Sequence, residues 1–202
     1  MNSIKKLEPK ERILQSAIKL FAAKGYNRVG MRELAGESQV GLSMINYHFG
    51  NKAGVLKAIN NHFFSQYIQN AQEILLTKDP IEVRFEKFID KQIRFFKSDP
   101  ELVTIALTEL PYNEPDVALQ KSEYISAMIK NFRGEMTKQL PQKCGGPFPA
   151  EIIGPILLGM MAMHFIMRPV LKEVNSVQLN DEFYERYIQT AKQIFLRGIM
   201  TL

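Results

Sequence analysis

The chain has 202 residues, 46% of them hydrophobic and 23% charged, with 13 Phe, 10 Met and no Trp. That length can bury a sizeable core, and the composition is that of an ordinary globular protein rather than a disordered, fibrous or disulfide-stapled one. The formal net charge of +5 sits entirely in residues 1–52, where nine Lys or Arg face four Glu; the remaining 150 residues hold 17 basic and 17 acidic side chains. An excess confined to one end is the pattern of a chain whose amino-terminal part meets a polyanion. The single cysteine, Cys144 in QKCGGPFP, cannot form an internal disulfide and has no metal-ligand company. The first residues carry charges but no apolar run long enough for a signal peptide, so a cytoplasmic protein is expected.

Apolar residues recur at helical spacing along the whole chain and no stretch alternates with a period of two, so the expected fold class is all-α, with about nine helices. The first carries Ile13, Leu14, Ala17, Ile18 and Phe21 and stops at Gly25 in AKGY. Two short helices follow, MRELAGES over 31–38 and LSMINYHF over 42–49, with only a tight turn between them. A longer helix starts at Asn51 or Lys52, places Val55, Leu56, Ile59, Phe63, Tyr67, Ala71 and Ile74 on one face, and stops before TKDP. Ile81, Phe85, Phe88, Ile89, Ile93 and Phe96 make a fifth helix that ends at KSDP, where Asp99-Pro100 opens a sixth over ELVTIALTEL. After the turn PYNEPD a seventh helix runs from about Asp116 to Leu140, and PQKCGGPFP separates it from the last two, Ala150 to Leu171 and Asp181 to about Ile199.

The eighth helix contains IIGPILLGMMAMHFIM, sixteen residues without a charge, bracketed by Glu151 and Arg168. That is too short for a membrane span, so no membrane partner is expected. A helix apolar nearly all round must be buried on most sides. A second copy of the chain is the expected cover, giving a homodimer whose interface draws on Ile156, Met163 and Met167 of the eighth helix and Tyr187, Ala191 and Ile194 of the ninth.

Residues 31–49 have helix-turn-helix proportions, with Leu34, Ala35, Val40 and Ile45 where two crossing helices need apolar contacts. In that geometry the second helix lies in the DNA major groove and the first crosses the backbone. ERILQSAIKLFAAKGYNRVGMRELAGESQVGLSMINYHFGNKAGVLKAI, residues 11–59, resembles the N-terminal domain of the TetR family of transcriptional regulators. The features that carry the resemblance are a first helix, a Gly-aromatic pair, a helix-turn-helix, and Asn-Tyr-His-Phe followed by Gly, Asn and Lys. It implies a DNA-binding domain over 1–54 and a helical ligand-binding and dimerisation domain over 55–202. It also implies a dimeric repressor that binds a near-palindromic double-stranded DNA operator and is released by a small-molecule effector.

On the head, Tyr47 and His48 are placed to donate hydrogen bonds to phosphates while Phe49 turns inward, and Lys52 brings a cation to the first turn of the next helix. Base reading, by similarity to the family, falls to Arg32, Leu42, Ser43, Met44 and Asn46: Arg32 suits guanine, Asn46 suits adenine or a phosphate, and Leu42 or Met44 suits thymine methyls. Two departures stand out. Gln39 occupies a turn position where the family usually has Gly, so it must accept a positive φ or reshape the turn. Gly30 and Gly41 replace the usual Ser or Thr at helix starts, so fewer side-chain caps and phosphate contacts are expected.

In the body the resemblance implies a ligand cavity around Phe88, Phe95 and Phe96 of the fifth helix and Tyr124, Met128 and Phe132 of the seventh. Met160 and His164 on the eighth are further candidates; all of these residues also suit a closed core. Lys5 and Lys6 read more readily as a solvated tail than as a minor-groove arm. No glycine-rich phosphate loop, nucleophile-base set or metal-ligand cluster is present, so neither an enzyme nor a cofactor is expected. The rival reading is a helical small-molecule-binding protein whose head does not bind DNA.

Overall fold

The computed structural model describes residues 7–109, 114–139, 150–174 and 178–201. Lys5, Lys6 and Cys144 lie outside them. Ten α-helices span the described residues: α1 Pro9–Lys24, α2 Met31–Ser38, α3 Leu42–Phe49, α4 Lys52–Leu75, α5 Ile81–Ser98, α6 Pro100–Thr108, α7 Pro115–Gln139, α8 Ala150–Ile166, α9 Arg168–Leu171 and α10 Asp181–Thr201. A 3-10 turn, Tyr26–Arg28, separates α1 from α2. The all-α expectation holds, but the helix expected over 150–171 is two, parted at Met167. Pro169 has no N–H to donate one turn back, so the helical ladder ends there and a short helix restarts.

The helix ends follow local chemistry. Pro9 opens α1 with its fixed φ, and Gly25 closes it at φ 82°, donating its N–H to the Phe21 carbonyl at 2.8 Å. Asn51 precedes α4 and its Oδ1 accepts the Gly54 N–H at 2.8 Å; Asn180 caps α10 in the same way through the Phe183 N–H at 2.9 Å. No helix among the described residues is long and apolar enough to cross a membrane.

The chain divides into two compact units, Met1–Ser65 with Glu101–Ser122, and Gln66–Pro100 with Glu123–Leu202. The division falls inside α4 and α7, further along the chain than the boundary at residue 54 read from the sequence. α6 and the first turns of α7 belong to the amino-terminal unit, and α7 is tied to α4 by polar contacts: Asp116 pairs with Lys57 at 3.1 Å, and Gln120 donates to the Lys57 carbonyl at 3.3 Å.

The core of the first unit is built from Ile13, Ala17 and Phe21 of α1, Leu34 of α2, Ile45 of α3, Val55, Leu56, Ile59 and Phe63 of α4, and Leu102, Val103, Ile105 and Ala106 of α6. The second unit packs α5, α8 and α10 together through Phe85, Phe88, Ile89, Ile93, Phe96, Leu157, Met161, Phe165, Tyr184 and Ile188. Its aromatic rings interlock: Phe165 stacks on Tyr184 at 5.6 Å and meets Phe96 edge-on at 5.9 Å. Each such ring contributes about 1.5–3 kcal/mol through burial alone, so the aromatic cluster dominates this unit's cohesion.

Candidate nucleic-acid interface

The turn between α2 and α3 is set by Gln39, the one non-glycine residue with positive φ among those described, at φ 53° and ψ 44°. Gln39 therefore accepts the left-handed conformation and the turn keeps its shape. The Val40 N–H bonds the Ala35 carbonyl at 3.1 Å, closing α2 so that α3 can cross it. Leu34, Ala35 and Ile45 are buried and Val40 is half-buried, as two crossing helices require. Ser38 fits the same contact because its hydroxyl donates to the Leu34 carbonyl at 2.6 Å. Neither α2 nor α3 has a side-chain N-cap, as Gly30 and Gly41 predict.

α3 buries only Ile45. Leu42, Ser43, Met44, Asn46 and Tyr47 are all exposed, Tyr47 at 82%, and Arg32 on α2 is exposed as well. The short α3 therefore turns an aromatic and two further apolar side chains, Tyr47, Leu42 and Met44, to solvent together. Phe49 is half-buried and His48 lies edge-on to both Tyr47 and Phe49, at 5.1 and 6.2 Å between ring centroids.

Lys52, in the first turn of α4, is half-buried. Its Nζ lies 4.4 Å from the centre of the Tyr26 ring and 3.4 Å from the Asn27 carbonyl, which it bonds. Burial holds the Lys52 pKa below its usual value, opposed by the charges of Glu109 and Glu114. The ammonium is thus seated on a ring rather than free in solvent.

Two parts of this surface were missed in the sequence. A Cβ on Gly54 would lie 1.8 Å from the Phe49 carbonyl oxygen, so only glycine lets the start of α4 approach the end of α3. The signal was available: glycine in a first helical turn is a poor helix former and needs a reason. In sequence Tyr26 is only half of a Gly-aromatic pair. It is buried, its N–H donates to Glu109 Oε1 at 3.1 Å and its hydroxyl to Glu114 Oε1 at 3.4 Å. Burial, followed by the charge of Glu114, raises its pKa to about 12. No periodicity links residues more than eighty positions apart, so these partners were not legible.

The body candidates do not gather at one place. A cavity of about 140 Å³ is lined by Tyr67, Ile125, Met128, Ile129, Gly154, Pro155 and Leu158. Of the expected ligand residues only Met128 lines it; Phe88 and Phe96 are closed into the core, Phe95 and Tyr124 are half-buried, and the Phe132 side chain lies outside those described. His164 is packed among Phe183, Tyr187 and Tyr184 at 4.8, 5.1 and 5.6 Å, and Met160 lends its carbonyl to the Tyr187 hydroxyl. Of the residues assigned to a dimer face, Ile156, Met163, Met167 and Ile194 are exposed. Ala191 is buried and Tyr187 half-buried, both taken up by the chain's own packing.

Comparison with known proteins agrees with this geometry. Residues 13–59 match the family described as bacterial regulatory proteins, tetR family. The HTH-type transcriptional regulator YerO of Bacillus subtilis is 30% identical over 112 residues, which is 53% of this chain; the chain spans 38% of YerO's length. The probable HTH-type transcriptional regulator YttP of the same organism is 23% identical over 204 residues, covering 96% of this chain and 95% of YttP. Among solved structures, the transcriptional regulator FadR from Bacillus subtilis, in complex with stearoyl-CoA, superposes with a TM-score of 0.73 at 16% identity, covering 93% of this chain and 98% of that one. The matched segment is the one that builds the exposed α3, and the all-helical body follows the same fold as FadR: residues 13–59 form a helix-turn-helix segment of the kind found in the tetR family of bacterial regulatory proteins.

Proposed function

We propose that the protein is a cytoplasmic, dimeric repressor that binds a near-palindromic operator and leaves it when an apolar, chain-like small molecule enters the body. The observation that carries the DNA-binding part is α3, which buries Ile45 and exposes Leu42, Ser43, Met44, Asn46 and Tyr47, with Arg32 exposed on α2 and Lys52 in the first turn of α4. Residues 1–54 act as the DNA-binding domain and 55–202 as the ligand-binding and dimerisation domain. Tyr47, His48 and Lys52 address phosphates; Arg32, Leu42, Ser43, Met44 and Asn46 read bases. Two recognition helices of a dimer would enter major grooves about 34 Å apart, which makes the operator a near-palindrome.

The dimer face is the stripe Ile152, Ile156 and Met163 on α8, Met167 just after it, and Ile194 on α10, exposed apolar side chains that the described residues leave uncovered. The effector class rests on two supports. The cavity residues include no charged side chain, and the phenol of Tyr67 is the one polar side-chain group among them. The similarly folded FadR was crystallised with stearoyl-CoA. α4 carries both Lys52 and Tyr67, about four turns apart on one uninterrupted helix, so a ligand that displaces it is felt at the head. A coupling of about 1–3 kcal/mol changes operator affinity roughly 5-fold to 150-fold. The test is operator affinity with and without stearoyl-CoA. Weakening within that range is expected; equal affinity at saturating thioester would remove this effector class.

A further inference from the structure

The polar contacts around Tyr26 tie the segment after α6 to the lysine at the head of α4. Tyr26 is 3% exposed and held at both ends, its N–H on Glu109 and its hydroxyl on Glu114. The face of its ring carries the Lys52 ammonium at 4.4 Å, with the Asn27 carbonyl as a second support. The two glutamates are themselves anchored: the Glu109 carbonyl accepts from Lys121, which is buried on α7, and Asp116, two residues after Glu114, pairs with Lys57 at 3.1 Å.

We infer that Glu109 and Glu114 are positioning residues for DNA binding: they fix the Tyr26 ring as the seat that keeps the Lys52 ammonium at the start of α4, ready for a phosphate. A lysine side chain loses rotamer freedom when it binds, and one already seated has less to lose. The ring occupies one side of the ammonium and Asn27 takes one donor, which leaves N–H donors for a phosphate oxygen. The charges of the two carboxylates also oppose the lowering of the Lys52 pKa by burial.

This inference rests on the head binding DNA through Lys52, and the experiment separates the two. A labelled duplex selected from a random pool by the wild-type chain is titrated at several salt concentrations with wild type, Lys52→Met, Glu109→Asp/Glu114→Asp and Tyr26→Phe. The aspartates shorten each arm by one methylene and keep the net charge, so the long-range field on DNA does not change. The expected result is about fivefold weaker binding at low salt and a salt slope smaller by about one, as for Lys52→Met, with no further loss when the changes are combined. Tyr26→Phe, which removes only the bond to Glu114, should weaken binding about twofold; it carries the test if the unfolding midpoint shows that the aspartate pair has lost the fold. Unchanged affinity and slope would overturn the inference. So would tighter binding, which would make the carboxylates competitors of DNA, or a loss that persists undiminished with Lys52→Met. A wild-type chain that selects no duplex would fail at the earlier step, the DNA-binding reading itself.

Discussion

Gln39 holds a backbone conformation that costs a non-glycine residue about 1–2 kcal/mol, at the turn that aims the reading helix. Glycine would remove that cost and give back about 0.5–1 kcal/mol through its freer unfolded chain. Gln39→Gly is therefore expected to stabilise the protein by about 0.5 kcal/mol in urea unfolding; a loss of stability would show that the glutamine side chain contributes more than its φ costs. Gly54 is the opposite case. Gly54→Ala improves helix propensity by about 1 kcal/mol but places a methyl inside the Phe49 carbonyl. Overpacking of about 1–3 kcal/mol outweighs that gain, so a net loss of up to about 2 kcal/mol follows, with weaker DNA binding because α3 is pushed off α4. His164 gives a pH dependence. Burial, and then Arg168, hold its pKa below 6.5, so the unfolded chain takes up the proton at a higher pH than the folded one. Stability is complete above about pH 6.5 and declines as the pH falls below it. His164→Phe, which keeps the aromatic packing, should flatten the melting-temperature profile between about pH 7 and 5; an unchanged profile would place the titration elsewhere.

At the scale of the elements, α8 and α10 show how one face is spoken for and another is not. Leu157, Met161 and Phe165 are buried in the second unit, while Ile152, Ile156 and Met163 of α8, with Met167 just after it, are exposed. Since those side chains are already in solvent, Met163→Glu/Ile194→Glu should leave the fold of one chain intact and shift sedimentation from dimer to monomer; a persistent dimer would place the interface elsewhere. The same elements mark what the residue pattern could disclose. Helix boundaries were legible at the caps and prolines of Gly25, Asn51 and Asp99-Pro100. The break at Met167 was not, because the apolar run of α8 reads as continuous up to Arg168 and a proline in a first helical turn is compatible with a helix. The exposed face of α3 was legible because Ile45 alone satisfies the core there. The cavity was not: Phe88, Phe96 and Met128 have the same apolar character in sequence, and only packing separates filled space from empty space.

For the whole molecule, the proposed function requires a basic head and an apolar cavity to be coupled through α4. The charge asymmetry already pointed to the head, because the entire excess of +5 belongs to residues 1–52. Binding that neutralises phosphates with such a head must weaken as salt rises, with a slope near 0.9 per phosphate contacted. The measurement that bears most directly on this is selection of duplexes from a random pool by the full-length protein, followed by salt-dependent titration of the winner. The account predicts enrichment of a near-palindrome with half-sites about one helical turn apart, bound by the dimer and released steeply as salt increases. A pool that emerges without a shared sequence, or binding indifferent to salt, would contradict it.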